Sequence, residues 1–239
     1  MALSLMNLGF VSINRTRKIL AGFSPEAITL SEGYLAKLQK RYSKKLKNFV
    51  GEVKSRMLSL PLLYWDDTVI FVDTARACMR FYGNEKLALY TAHLHKDLES
   101  LMNDNILPAL SDGTVVMHDH NTINYHQGFV FRNVECIQHL ERDLQKIIDV
   151  AHHPWASEFE WVKDFSIPTT NNLSERSLRF VKTKDKVSGQ FQSIEYASYF
   201  ADIRTYLGTC ARNGVNEFTA LLRLTSGQPY KLGELLGEA

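Results

Sequence analysis

The stretch LPLLYWDDTVIFVDTARACMRFYGNEKLALYTA, residues 60–92, decides the fold. Its apolar runs are short, rich in β-branched and aromatic residues, and broken by turn formers. Leu62 to Trp65 and Val69 to Val72 read as one strand, or as a strand interrupted by a turn at Asp66-Asp67. Ala77 to Tyr82 reads as a second strand ending at Gly83-Asn84, and Leu87 to Ala92 as a third. Short strands with tight connections form an antiparallel meander.

Downstream, the period changes. Lys96 to Leu110 has helical spacing in Leu98, Leu101, Ile106 and Leu110. Gly113 ends it, and Thr114 to Met117 is a short apolar run of buried-strand type. Phe129 to Ile137 reads as a fifth strand and Leu140 to Val150 as a helix. Beyond Pro168, helices are predicted over Asn172 to about Lys186, Glu195 to Asn213 and Glu217 to Leu224. Upstream, Leu35, Leu38, Tyr42, Leu46, Phe49, Val53 and Met57 recur at steps of three and four, the mark of one amphipathic helix. Three antiparallel strands and a crossover to a fourth give an α/β fold, a mixed five-stranded sheet with helices on its faces. That is the layout of a ribonuclease-H-like core. It is expected over residues 60–225, with a basic helical segment at 1–59 and a turn-rich tail at 226–239.

Composition limits the function classes. The chain has 239 residues, 45% hydrophobic and 23% charged, a globular balance that a core of this size sustains without staples. Three scattered cysteines, Cys78, Cys136 and Cys210, make no disulfide framework and suit a reducing, cytoplasmic compartment. No apolar run approaches the ~20 residues of a membrane span. Met1 to Ile13 lacks the basic start and cleavage site of a signal peptide.

The net charge of +2 is unevenly spread. Lys37, Lys40, Arg41, Lys44, Lys45, Lys47, Lys54 and Arg56 crowd one segment that holds a single acid, Glu52. A solvated helix face accounts for such a run; so does contact with a polyphosphate such as DNA.

Three acids stand out on this layout. Asp66 interrupts the first strand between apolar residues, where burial is expensive unless the carboxylate binds something. Asp119 follows the fourth strand directly, and Glu175 opens the helix after Pro168. Three carboxylates from two strands and one helix can hold two Mg²⁺ ions (or Mn²⁺ in their place), the arrangement that drives phosphoryl transfer. Each acid also has a structural reading. Asp66 or Asp67 would mark a turn, Asp119 would cap a turn with Asn121, and Glu175 would close a capping box on Asn172 or pair with Arg179. His118 and His120 flank Asp119 and would tune it. Arg176, Arg179, Lys182, Lys184 and Lys186 follow Glu175 and would hold phosphates or form a solvated face. Cys136-x-x-His139 with His152-His153 has a zinc-like but irregular spacing; a packed Cys and a hydrogen-bonded His account for it better.

Pro-Thr-Thr-Asn-Asn-Leu-Ser-Glu-Arg-Ser-Leu-Arg over 168–179, with Gly189 downstream, resembles the third catalytic block of the insertion sequence 66 family of DDE transposases. Asp66-Asp67-Thr68, Gly113 to His120, Cys136-x-x-His139-x-x-Arg142 and Arg204 to Gly214 resemble further blocks, in order, over roughly residues 25–230. The resemblance implies a metal-binding triad of Asp66, Asp119 and Glu175. It implies cleavage at transposon ends, then strand transfer by the freed 3′-hydroxyl, by a homo-oligomer assembled on DNA in the nucleoid. Arg176, Arg179, Lys182, Lys40 and Lys44 would contact that DNA.

The chain departs from the family pattern in places. Asp67 stands for the usual Glu, Gln192 for an Arg, and Tyr125 lies one position late. Met1 opens close to the core, where family members already carry a long N-terminal part. An inactive remnant that binds DNA or supports assembly is therefore one alternative, and a stand-alone nuclease on the same fold is another.

Overall fold

The computed structural model describes residues 1–23, 30–119, 121–137 and 169–238. Four helices come first: α1 (Ala2–Asn7), α2 (Ile13–Phe23), α3 (Glu32–Lys45) and α4 (Lys47–Met57). The sheet follows with β1 (Leu62–Val72), β2 (Ala75–Gly83) and β3 (Ala88–His93). After α5 (Leu98–Asp104) come β4 (Val115–His118) and β5 (Arg132–Glu135), then α6 (Asn172–Ser188), α7 (Ile194–Arg212), α8 (Glu217–Thr225) and α9 (Leu232–Leu236). The five strands lie in the order β3-β2-β1-β4-β5. β1 and β3 are antiparallel to β2, while β4 and β5 run parallel to β1. This is the mixed, helix-flanked, ribonuclease-H-like sheet that the strand pattern predicts.

Several predicted elements are redrawn. β1 runs unbroken through Asp66 and Asp67, paired residue by residue with β2 from Tyr64↔Gly83 to Val72↔Ala75, so neither acid marks a turn. The turn is Asp73-Thr74, both at positive φ (44° and 68°), as a two-residue hairpin connection requires. The single helix expected over Leu35–Met57 bends at Leu46 (φ −93°, ψ 0°), whose fully buried side chain holds the bend against the core. The helix expected over Lys96–Leu110 stops at left-handed Asn105, and Pro108 confines the rest to a single 3₁₀ turn, Leu107–Ala109. The tail contains α9 rather than turns alone. The predicted helix Leu140–Val150 lies outside the described residues.

The period-2 alternation of β1 divides the core. Leu63 and Trp65 face one side, packed with Tyr82 and Leu89 beneath Leu46, Phe49, Val53 and Met57 of the N-terminal helices. Tyr64, Ile70 and Val72 face the other, with Phe81, Tyr90 and Met117 beneath Leu178 and Val181 of α6. Helix α7 contributes to both cores: Phe200 and Ala201 on one side, Ile203, Tyr206 and Leu207 on the other. It lies along the outer edge of β3. There the Thr205 hydroxyl accepts the Tyr90 amide at 2.9 Å, and the Thr209 hydroxyl accepts the Ala88 amide at 3.1 Å. Backbone groups that an edge strand would leave open are thereby occupied.

On its other side, among the described residues, β1 is paired only at its two ends. β4 takes Leu62 to Tyr64. The segment after α6 takes the far end, with Phe191 bonded to Phe71 and Asp73 through backbone groups. Among the described residues, no strand pairs with that side of β1 between Tyr64 and Phe71.

Candidate active site

Asp66 lies on that unpaired stretch. The β1–β4 register, Leu62↔Val115 to Tyr64↔Met117, carried two residues further brings Asp66 level with Asp119. Both are half-buried. Burial pushes the Asp66 carboxyl up to about 7; the Asp67 amide, donating at 2.8 Å, opposes the shift, and the charges of Asp67, Asp119 and Glu175 add to it. The charges of the other two acids singled out in the sequence thus reach Asp66, after burial and the nearer Asp67.

Asp119 is held by its neighbours. The fully buried Asn124 donates to its carboxylate at 3.2 Å and to its carbonyl oxygen at 3.0 Å. A ring nitrogen of buried His118 lies 2.6 Å from the same carbonyl, and the other lies 2.8 Å from Asn133 Oδ1. His118 thus touches the backbone of Asp119. The turn cap expected of Asp119 belongs to Asn121, which accepts the Ile123 amide at 3.2 Å. His120 lies outside the described residues.

Glu175 enters on the first turn of α6. The predicted capping box on Asn172 does not form: Asn171 is the N-cap residue, and its side chain makes no cap bond. The Asn171 carboxamide reaches across to β1 and donates to the Trp65 carbonyl at 3.0 Å, one residue from Asp66. The Asn171 amide donates to Cys136 Sγ at 3.1 Å. Cys136 is fully buried in this contact; His139, His152 and His153, the other residues of the zinc-like spacing, lie outside the described residues.

The basic residues divide. Arg176, Arg179, Lys182 and Lys186 are exposed along α6. Lys184 turns inward, donating to the Gly189 carbonyl at 2.6 Å and lying 3.7 Å over the Phe191 ring, and burial brings its amine down to about 8. It leaves the expected phosphate-facing set. On α3, Lys40 and Lys44 are exposed.

Sequence reasoning missed Lys96, Asn124 and the role of Asn171. Lys96 pairs with Asp67 at 2.7 Å on the opposite face of β1 from Asp66, and the charges of Asp119 and Asp66 reach its ammonium as well. The only sequence signal for Asn171 is the Asn171-Asn172 doublet.

The donor set suits a hard divalent cation in its chemistry: carboxylate oxygens, with one acid raised by burial and by the charge of the others. Among the described residues, no group of three His, Cys, Asp or Glu is gathered closely enough to hold a metal ion. Nor is any described helix long and apolar enough to cross a membrane.

No protein-family model matches the chain, and no curated protein matches it. Among solved structures, the catalytic domain of Mos1 mariner transposase aligns with 73% of this chain and 93% of its own at 10% identity, with a TM-score of 0.24. The structure of that domain with Raltegravir and Mg aligns with 72% and 95% at 11% identity, again with a TM-score of 0.24. A likeness at that score carries no argument, and the fold stands on strand order and direction.

Proposed function

We propose that the chain is a DDE-type transposase core, a polynucleotidyl transferase acting on DNA. The observation that supports this reading is that the charges of Asp119, directly after β4, and Glu175, on the first turn of α6, both reach the buried carboxyl of Asp66 on β1. In this reading the three carboxylates hold Mg²⁺, or Mn²⁺ in its place. Bound divalent ions would supply Lewis acidity for phosphoryl transfer. The chain's own side chains do the rest. Asn124 fixes Asp119, and Lys96 neutralises Asp67 so that it does not compete with Asp66. Arg176, Arg179 and Lys182, spaced at three along the exposed face of α6, hold backbone phosphates. Lys40 and Lys44, in a basic N-terminal segment over 1–59, add a sequence-independent contact to DNA. Two or more copies assembled on DNA would bring two ends together.

The test is Mn²⁺ calorimetry on wild type and Asp119→Ala, then Mg²⁺-dependent DNA cleavage by wild type, Asp66→Ala and Glu175→Ala. Binding abolished in the first variant and cleavage abolished in the other two is the expected result. Unchanged cleavage in either would sink the triad. The ungathered acids favour a second reading, a non-catalytic DNA-binding protein on the same fold. DNA binding by a folded chain that takes no Mn²⁺, with or without DNA, would select it.

A further inference from the structure

We infer that Asn171 is a positioning residue that, with Cys136, fastens the three acid-bearing elements to one another. The inference rests on the reading of Asp66, Asp119 and Glu175 as one site. Four hydrogen bonds carry it. The Asn171 carboxamide donates to Trp65 O at 3.0 Å, the residue before Asp66. The Asn171 amide donates to Cys136 Sγ at 3.1 Å. The Cys136 amide donates to His118 O at 2.9 Å, the residue before Asp119. The Glu175 amide donates to Asn171 O at 3.2 Å, closing the first turn of α6. Each acid is therefore one residue, or one helical turn, from a junction that is itself fully buried at both Asn171 and Cys136.

An ordinary helix cap does not explain this. A capping Asn turns its side-chain oxygen onto the amides of its own helix. Here, among the described residues, that oxygen has no hydrogen-bond partner although it is buried, and the carboxamide nitrogen is spent on another element. The geometry serves the placement of α6 on β1, and Cys136 supplies a thiol acceptor that carries the tie to β4. Packed in this way, Cys136 is committed to a positioning contact.

Aspartate separates the two roles. It caps a helix as well as asparagine does, matches it in shape, and as a carboxylate cannot donate to Trp65 O. Asn171→Asp is expected to keep the wild-type helical circular dichroism and to weaken Mn²⁺ binding at least tenfold, although it adds a negative charge beside the acids. Asn171→Ser, a capping residue too short to reach Trp65, is expected to behave alike and serves if the aspartate variant does not fold. A metal-free measurement runs in parallel: the yield of a short-linker cross-link in an Asp66→Cys, Glu175→Cys protein, with and without Asn171→Asp. The yield is expected to fall at least fivefold with the added change. Wild-type Mn²⁺ affinity in a folded Asn171 variant overturns the inference and leaves the proposed function standing. If wild type itself binds no Mn²⁺, the proposed function falls and the cross-link decides. A lower yield then sustains the fastening role, and an equal yield, or no cross-link in either background, overturns it.

Discussion

The β1–β4 register ends at Tyr64↔Met117, and two residues further along each chain come Asp66, still within β1, and Asp119, directly after β4. Pairing between the two strands stops before it reaches either acid. Folding buries the Asp66 carboxyl and sets other acids within reach of it, and the cost can be read as a pH dependence.

The Asp66 carboxyl holds its proton up to about pH 7 in the folded chain, against a reference value of 3.8. Between these values the folded chain carries a proton that the unfolded chain has released, so this group's contribution to stability falls as pH rises and is gone above about 7. Asp66→Asn is expected to stabilise the metal-free chain by roughly 1–4 kcal/mol at about pH 8 and by almost nothing near pH 4. Urea denaturation at the two pH values checks this; equal gains at both would refute the linkage.

Asp104 has the opposite sign. Its buried carboxylate accepts from Arg80 at 3.1 Å, Tyr82 at 2.8 Å, Thr91 at 3.0 Å and His93 at 2.7 Å, which together hold it below the usual carboxylate range. Its contribution is present above the unfolded value and disappears as pH falls through the lowered one. Asp104→Ala leaves the Arg80 guanidinium buried without its carboxylate, at a cost of about 3–5 kcal/mol. Thermal unfolding reads the destabilisation, and Mn²⁺ binding by the remaining folded protein should not change.

Thr205→Val and Thr209→Val each keep the shape of the side chain and remove an acceptor from a buried β3 amide. Each is expected to cost about 1–3 kcal/mol. Faster hydrogen exchange should appear at the Tyr90 amide in the first variant and at Ala88 in the second. Uniform acceleration across the sheet would mean that global stability, and not the hydrogen bond at the edge, had changed.

Replacing Arg176, Arg179 and Lys182 together by Ala should weaken duplex binding without sequence preference. The slope of log affinity against log salt should become shallower by roughly 2–3, about one for each phosphate that is no longer neutralised. Fluorescence anisotropy across a salt series measures it. A weaker affinity at an unchanged slope would assign the effect to something other than phosphate binding.

The strands and their order are legible because alternation and turn residues are local signals. The same local view splits β1 at Asp66-Asp67, since nothing in the segment itself reveals that β2 pairs straight past two acids. The amphipathic stripe from Leu35 to Met57 does face the core, but the bend at Leu46 is set by what it packs against. The acids are legible as types and positions. Their supports are not. Asn171 reaches across 106 residues to Trp65, and Lys96 pairs with Asp67 from beyond the meander. Lys184 resembles its basic neighbours because helical spacing alone does not say which one of a run turns under its own C-terminus toward Phe191.

Among the described residues, β1 has two partners on one side, β4 at its start and the Phe191 segment at its end, and the interval between them spans residues 65–70. At about 3.3 Å per residue that is a slit roughly 20 Å long in the sheet's own hydrogen bonding. The sheet is a fork rather than a plate, with Asp66 in the notch. Two extra rungs between β1 and β4 would zip the notch shut, so the proposed site depends on the shortness of β4 as much as on any carboxylate.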